Sequence, residues 1–182
     1  MHGAASLRYP GPGLRRFGGM TALTRLARAS WIRAWAPVAV WVGVIFTLSS
    51  DAFSAPSTSG ILGPLLQWLL PDASADTIYR LHVAIRKGAH LGVYAALALL
   101  ALRAGRLGHA WPLAHAAAVS LACVATVASF DELHQAFARA RTGSLRDIGI
   151  DLAGGAAALC LTLAAAGLRR ALRGTAPIGA GP

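Results

Sequence analysis

The stretch WPLAHAAAVSLACVATVASFDELHQ, residues 111–135, decides what kind of chain this is. From Trp111 to Phe130 it holds no Lys, Arg, Asp or Glu. A helix needs roughly 20 predominantly apolar residues to cross the ~30 Å hydrocarbon core of a bilayer, and this run supplies them. Asp131 and Glu132 follow at once, so the run ends on a pair of carboxylates. One membrane span and one candidate site are legible in the same stretch.

Working outward, AWAPVAVWVGVIFTLSS over residues 34–50 is uncharged and gives a first span, which Trp31 and Ile32 extend while Arg33 snorkels toward the headgroups. A signal peptide is the competing reading, with small residues following at Ser54 and Ala55. The long basic region before the run and the further spans after it favour a retained helix. Residues 51–87 combine the turn chemistry of DAFSAPSTSG with ILGPLLQWLLP, which is too short to cross and carries two prolines. This predicts an interfacial or re-entrant segment around Ile61 to Leu70, then a second short helix from Ala75 to Lys87. The second span is expected over Gly88 to Leu102, a basic turn at Arg103, Arg106 and His109, the third span over Trp111 to Phe130, and the fourth over Ile148 to Leu168.

The fold class is therefore all-α: a polytopic membrane helical bundle of about four transmembrane helices, with a short interfacial or re-entrant segment between the first and second. Residues 1–33 read as a basic, largely disordered tail with a short amphipathic helix around Thr21 to Ser30. Residues 34–168 form the membrane domain, and 169–182 a short basic tail.

Composition agrees. The 182 residues suit one domain. Apolar residues make up 55% and charged residues 13%, against roughly 45–50% and a quarter in soluble chains. A soluble enzyme and a disordered tail are both disfavoured. The net charge of +10 is segregated: Arg8, Arg15, Arg16, Arg25, Arg28 and Arg33 precede the first span, and Arg169, Arg170 and Arg173 follow the last. All seven acidic residues lie between Asp51 and Asp151. Nucleic acid is not the partner this pattern describes, because the chain has no zinc-ligand spacing, aromatic stacking motif or long basic helix. Excess Lys and Arg on one side marks the cytoplasm. The expected setting is the plasma membrane, with both termini and the Arg103 to His109 turn inside and the two mixed-charge loops outside. Cys123 and Cys160 sit in apolar runs and read as free buried thiols.

The chemistry gathers at the outer ends. Asp131, Glu132, His134, Gln135, Arg141, Asp147 and Asp151 come from one loop region, and Arg86, Lys87, His90 and Tyr94 from the other. In a helix, Asp131 and Gln135 share a face, as do Asp147 and Asp151, and Arg86, His90 and Tyr94 follow one another at four-residue spacing. Asp151 lies about one turn inside the fourth apolar run, where a carboxylate has to be paired or wetted. Charge balance predicts an ionic network with Arg86, Lys87, Arg139, Arg141 and Arg146. Such a network is structural glue in one reading and a binding or catalytic site in the other. Acid-base work by Asp131 or Glu132 with His90 or His134 is chemically available. DELHQ lacks the HExxH spacing of a zinc site, no serine lies in a GxSxG turn, and there is no Gly-rich phosphate loop. No metal and no cofactor is expected. Gly149, Gly154 and Gly155 give the fourth span a smooth face for packing, with the second span as its expected neighbour. His115 reads as an interior or interfacial histidine.

Five elements in order carry a resemblance. They are Phe46, Ser49 and Ser50 ending the first span; Arg86, Lys87, His90 and Tyr94 opening the second; and Asp131, Glu132 and Gln135 closing the third. The last two are RTGSLRD from Arg141 to Asp147, and Asp151 to Gly155. Over roughly residues 40–160 the chain resembles the VanZ-like membrane proteins. The resemblance implies a small bundle of four or five helices with its polar signature at one membrane face, and a namesake linked with resistance to the glycopeptide teicoplanin. Two positions depart from the pattern: Asp151 stands where Asn is common, and AFARAR lacks the usual proline-glycine turn. The expected function is recognition of a cell-surface or glycopeptide-like ligand through the outward polar cluster, with Arg86, Lys87 and Arg141 on anionic groups. The alternatives are a membrane-embedded acid-base enzyme acting on a lipid or lipid-linked envelope precursor, and a structural partner subunit.

Overall fold

The computed structural model describes residues 16–137 and 144–174, with side chains over 30–137 and 144–173. Among them are five α-helices, one 3-10 turn and no strand: α1 (Arg16–Leu48), the turn Asp51–Phe53, α2 (Ala55–Leu69), α3 (Ala75–Gly108), α4 (Leu113–Phe137) and α5 (Leu145–Gly174). Four of the helices, α1, α3, α4 and α5, are long and apolar enough to cross a membrane. The polytopic bundle is as the apolar runs require. Its outward surface is apolar, with Val40 68%, Phe130 59% and Leu161 73% exposed. In water such a surface would be an aggregation liability, whereas lipid tails cover it without penalty.

The helices run longer than the sequence expectation, although α1 stops at Leu48 and α4 starts at Leu113, each two residues inside its expected span. The short helix over 75–87 and the span over 88–102 are one helix, α3, whose 34 residues rise about 51 Å and so overrun the hydrocarbon core. Ser74 starts it by accepting a hydrogen bond from the Thr77 amide at 3.2 Å. Gly88 alone, at a cost of about 1 kcal/mol, does not break a helix flanked by Ala, Leu and Arg. Arg103 and Arg106 belong to its last turns rather than to a basic loop. α1 likewise starts at Arg16, well before the short helix expected over 21–30, and continues unbroken through Pro37. The segment Ile61 to Leu70 falls almost wholly in α2, a helix of 15 residues opened by a Pro in its first turn.

α3 is the central element and packs on α1, α4 and α5. Close approach rests on small side chains: Ala98, Ala101, Ala104, Ala116, Ala117 and Ala128 are all buried around Tyr94, Leu97 and Val124. The smooth face on α5 is real at two of its three positions. A Cβ on Gly154 would stand 2.3 Å from the Leu91 carbonyl oxygen of α3, and one on Gly155 would stand 3.1 Å from Val124 of α4; Gly149 has nothing within 4 Å.

At one end of the bundle the middle of α1, around Ala34 and Trp35, meets the end of α3 and the start of α4, with the end of α5 beside them. There Trp35 donates to Nε2 of His109 at 3.1 Å, and Trp111 stacks on His109 with centroids 4.4 Å apart. His115 is exposed and sits edge-on to Trp111, which makes it interfacial. The α3–α4 turn is closed by Ala110 at φ 53 and by Arg106 donating to the Trp111 carbonyl at 2.7 Å. Both cysteines are free, but only Cys123 is partly buried; Cys160 is exposed on the outside of the bundle, correcting the expectation that both are buried.

Candidate functional site

The opposite end collects the polar residues. Asp131 closes the apolar part of α4 and is completely buried, with 0% exposure. Three donors converge on its Oδ2: Ser49 Oγ at 2.8 Å from the end of α1, Tyr94 OH at 3.2 Å from α3, and Gln135 Nε2 at 3.0 Å from one turn along α4. A carboxylate held by three donors stays out of water without a cation against it. The last of these bonds joins two residues that the four-residue spacing places on one helical face.

Asp151, also at 0% exposure, faces α3 from α5, and its Oδ1 lies 3.0 Å from Nδ1 of His90. Glu132, 5% exposed, accepts a hydrogen bond through Oε2 from the amide of Ser144, and so ties the start of α5 to the end of α4. Each of the three carboxylates keeps one buried oxygen without a hydrogen-bond partner: Oδ1 of Asp131, Oε1 of Glu132 and Oδ2 of Asp151. Buried unpaired acceptors are costly, about 1–3 kcal/mol each. All three such oxygens lie at this one end of the bundle.

A cavity of about 200 Å³ opens beside Asp131. Its walls are mainly apolar, from Ile45 and Leu48 of α1, Leu62 of α2, and Ile85 and Val93 of α3. Its polar lining is Ser49, Thr58, Arg86, His90, Tyr94 and Asp131. Arg86 spans from α3 to α2, donating through Nη1 to the Phe53 carbonyl at 2.9 Å and to Thr58 Oγ1 at 3.0 Å, and Thr58 also pairs with Nε2 of the buried His82 at 3.2 Å.

The structure thus brings together Arg86, His90, Tyr94 and Asp131 around the cavity, with Gln135 and Asp151 bracing it from behind. Glu132 is buried nearby but does not line the cavity. His134 is exposed and sits edge-on to Phe46 at 5.9 Å. Lys87 is half-buried outside the lining, and Asp147 lies one turn before Asp151. Arg141, like Arg139, falls outside the described residues. Thr58 and His82 carry no site expectation from the sequence, and Ser49 carries only its place in the element that ends the first span. His82 continues the four-residue register of Arg86, His90 and Tyr94, which is a usable signal. Among the described residues no three His, Cys, Asp or Glu side chains converge as metal ligands.

Fold and site together define a class: a helical membrane protein of four crossings, with a buried carboxylate cluster and an apolar-walled cavity at one end of its bundle. The VanZ/LLP1 family model matches residues 34–166, and the chain belongs to that family. No curated protein and no solved structure matches it.

Proposed function

We propose that this chain is an envelope-facing binding protein whose cavity takes an amphiphilic cell-surface component, a lipid or a lipid-linked envelope precursor. The observation that carries this reading is the cavity's two-part lining. Apolar walls from α1, α2 and α3 suit a hydrocarbon segment, while Arg86 suits an anionic group and Ser49, Thr58 and Tyr94 suit a polar one. At about 200 Å³ it is smaller than the roughly 300–1,000 Å³ of pockets that enclose a drug-sized ligand. It therefore suits one segment of a ligand rather than a whole glycopeptide, and a part in antibiotic resistance would follow from altering the surface component. The outward orientation of this end rests on the segregation of charge, with both termini on the cytoplasmic side of the plasma membrane.

The test is to purify the full chain in mild detergent and identify co-purifying amphiphiles by mass spectrometry. Leu62→Trp should fill the cavity and deplete a species found with the wild-type protein, and Asp131→Asn should change its retention. Equal recovery in all three folded proteins would remove the cavity from the function.

A second reading has an observation of its own. Asp151 engages Nδ1 of His90, which leaves Nε2 on a cavity-lining ring as an acid or base. Turnover of a lipid-linked precursor that disappears in His90→Gln, with binding retained, would support an enzyme over a binding protein.

A further inference from the structure

The bundle end opposite the carboxylates has a charge problem that the chain does not solve internally. No acidic residue follows Asp151, none lies between Asp76 and Asp131, and none precedes Asp51. Arg169, Arg170 and Arg173 therefore end α5 with no acidic side chain near them in sequence, and all three are exposed. The ion pairs present among the described residues are Arg80 with Asp76 and His90 with Asp151, both toward the other end.

These three arginines are not scattered. They follow Thr162 and Ala166 on one stripe of α5, and together they line a groove of about 640 Å³ between the end of α5 and the start of α4. Its apolar part is Leu113 of α4 with Leu161, Ala165 and Ala166 of α5. From Asp151 to Arg169 the helix rises about 27 Å, close to the ~30 Å thickness of a hydrocarbon core. With Asp151 near one boundary, the arginines stand at the other. From Leu161 to Arg169 the rise is about 12 Å, within the depth of a single leaflet. The groove thus has an apolar length inside the bilayer and three cations at headgroup height. The carbonyls ending α5 carry about half a negative charge, too little to balance three arginines.

We propose that this groove binds one anionic phospholipid, with its phosphate among Arg169, Arg170 and Arg173 and an acyl chain along Ala165, Ala166 and Leu161 against Leu113. Guanidinium groups pair with phosphate through parallel N–H donors, and the small side chains of α5 leave room for the chain. The site is separate from the carboxylate cavity and does not depend on what that cavity binds.

The experiment uses the full chain in detergent, with binding of phosphatidylglycerol and of phosphatidylcholine measured by native mass spectrometry. Folding of each variant is checked by thermal melting in phosphatidylcholine micelles. The wild-type protein should hold one phosphatidylglycerol at least tenfold more tightly than phosphatidylcholine. Combined Arg169→Gln, Arg170→Gln and Arg173→Gln should abolish that preference. Ala165→Trp, at an exposed position, should block the groove and weaken binding about tenfold with every charge retained. Arg33→Gln with Arg103→Gln, which removes charge from the same bundle end outside the groove, should leave binding within about threefold. Equal losses in this control and the triple variant would overturn the proposal in favour of a diffuse basic surface. Unchanged binding in Ala165→Trp would also overturn it, as would full competition by inorganic phosphate at matched concentration, since the acyl chain would then contribute nothing.

Discussion

Gly154→Ala tests the packing that positions the site. The new methyl carbon would lie 2.3 Å from the Leu91 carbonyl oxygen and 2.8 Å from its Cα. Both are backbone atoms of a helix buried on several sides, so no flexible side chain can swing aside. Restoring an ordinary contact of about 3.4 Å requires α5 to retreat from α3 by about 1.1 Å. That movement acts one residue from His90 and one turn from Asp151, whose 3.0 Å contact would lengthen to about 4 Å, beyond hydrogen-bonding range. Overpacking of this kind costs about 1–3 kcal/mol. With about 2–4 °C lost per kcal/mol for a chain of this length, the melting temperature should fall by about 2–12 °C. The assay is thermal unfolding in detergent followed by fluorescence of the five tryptophans, with Gly149→Ala as comparator. Nothing lies within 4 Å of a Cβ at Gly149, so its alanine should be neutral or stabilising by up to about 1 kcal/mol. If Gly154→Ala melts at or above Gly149→Ala, the close approach of α3 and α5 does not exist as described.

Further outcomes follow from the hydrogen bonds and the topology. Asp131→Ala should destabilise far more than Asp131→Asn, because it leaves Ser49, Tyr94 and Gln135 without an acceptor at about 1–3 kcal/mol for each buried donor, whereas asparagine keeps a carbonyl; denaturation in mixed micelles checks the order, and a reversed order would remove Asp131 as the hub. Tyr94→Phe should cost about 0.5–1.5 kcal/mol, as for the loss of one hydrogen bond, and should leave the fold intact by circular dichroism. In a Cys123→Ser and Cys160→Ser background, Ser57→Cys should react with an impermeant thiol reagent on intact cells, and Ala110→Cys only after permeabilisation. The opposite pattern would place the carboxylate end in the cytoplasm.

Much of this architecture is legible in the chain because hydrophobic period and charge are strong signals. The four apolar runs fix the spans, and DELHQ puts Asp131 and Gln135 on one face, where they do bond. The small stripe on α5 does meet the second span, at Gly154. Helix ends were less legible, because Arg103 and Arg106, or Arg86 and Lys87, look like loop charges although long side chains let a helix carry them to the interface. The site's pairing was also only partly legible. Charge counting leads to an ionic network, yet Asp131 is held by two hydroxyls and an amide, and Arg86 reaches toward the Phe53 carbonyl and Thr58. Composition counts charges but does not say which polar atom stands within 3 Å. Ser49 shows this best, since 82 residues separate it from the carboxylate it touches.

That separation bears on how the protein comes into being. Ser49 leaves the ribosome long before Asp131, and His90 well before Asp151, so no helical hairpin made during synthesis contains the finished site. While the chain is being inserted, α3 carries His90 and Tyr94 without their carboxylates, and α4 then brings Asp131 to a bilayer that does not yet hold α5. The polar end therefore matures in two stages. Ser49, Tyr94 and Gln135 close on Asp131 once α4 is in place, and Asp151 meets His90 only when α5 arrives. A chain stopped after α4 retains the hub but not the His90 pair, which makes the arrival of the last helix the step that completes the site.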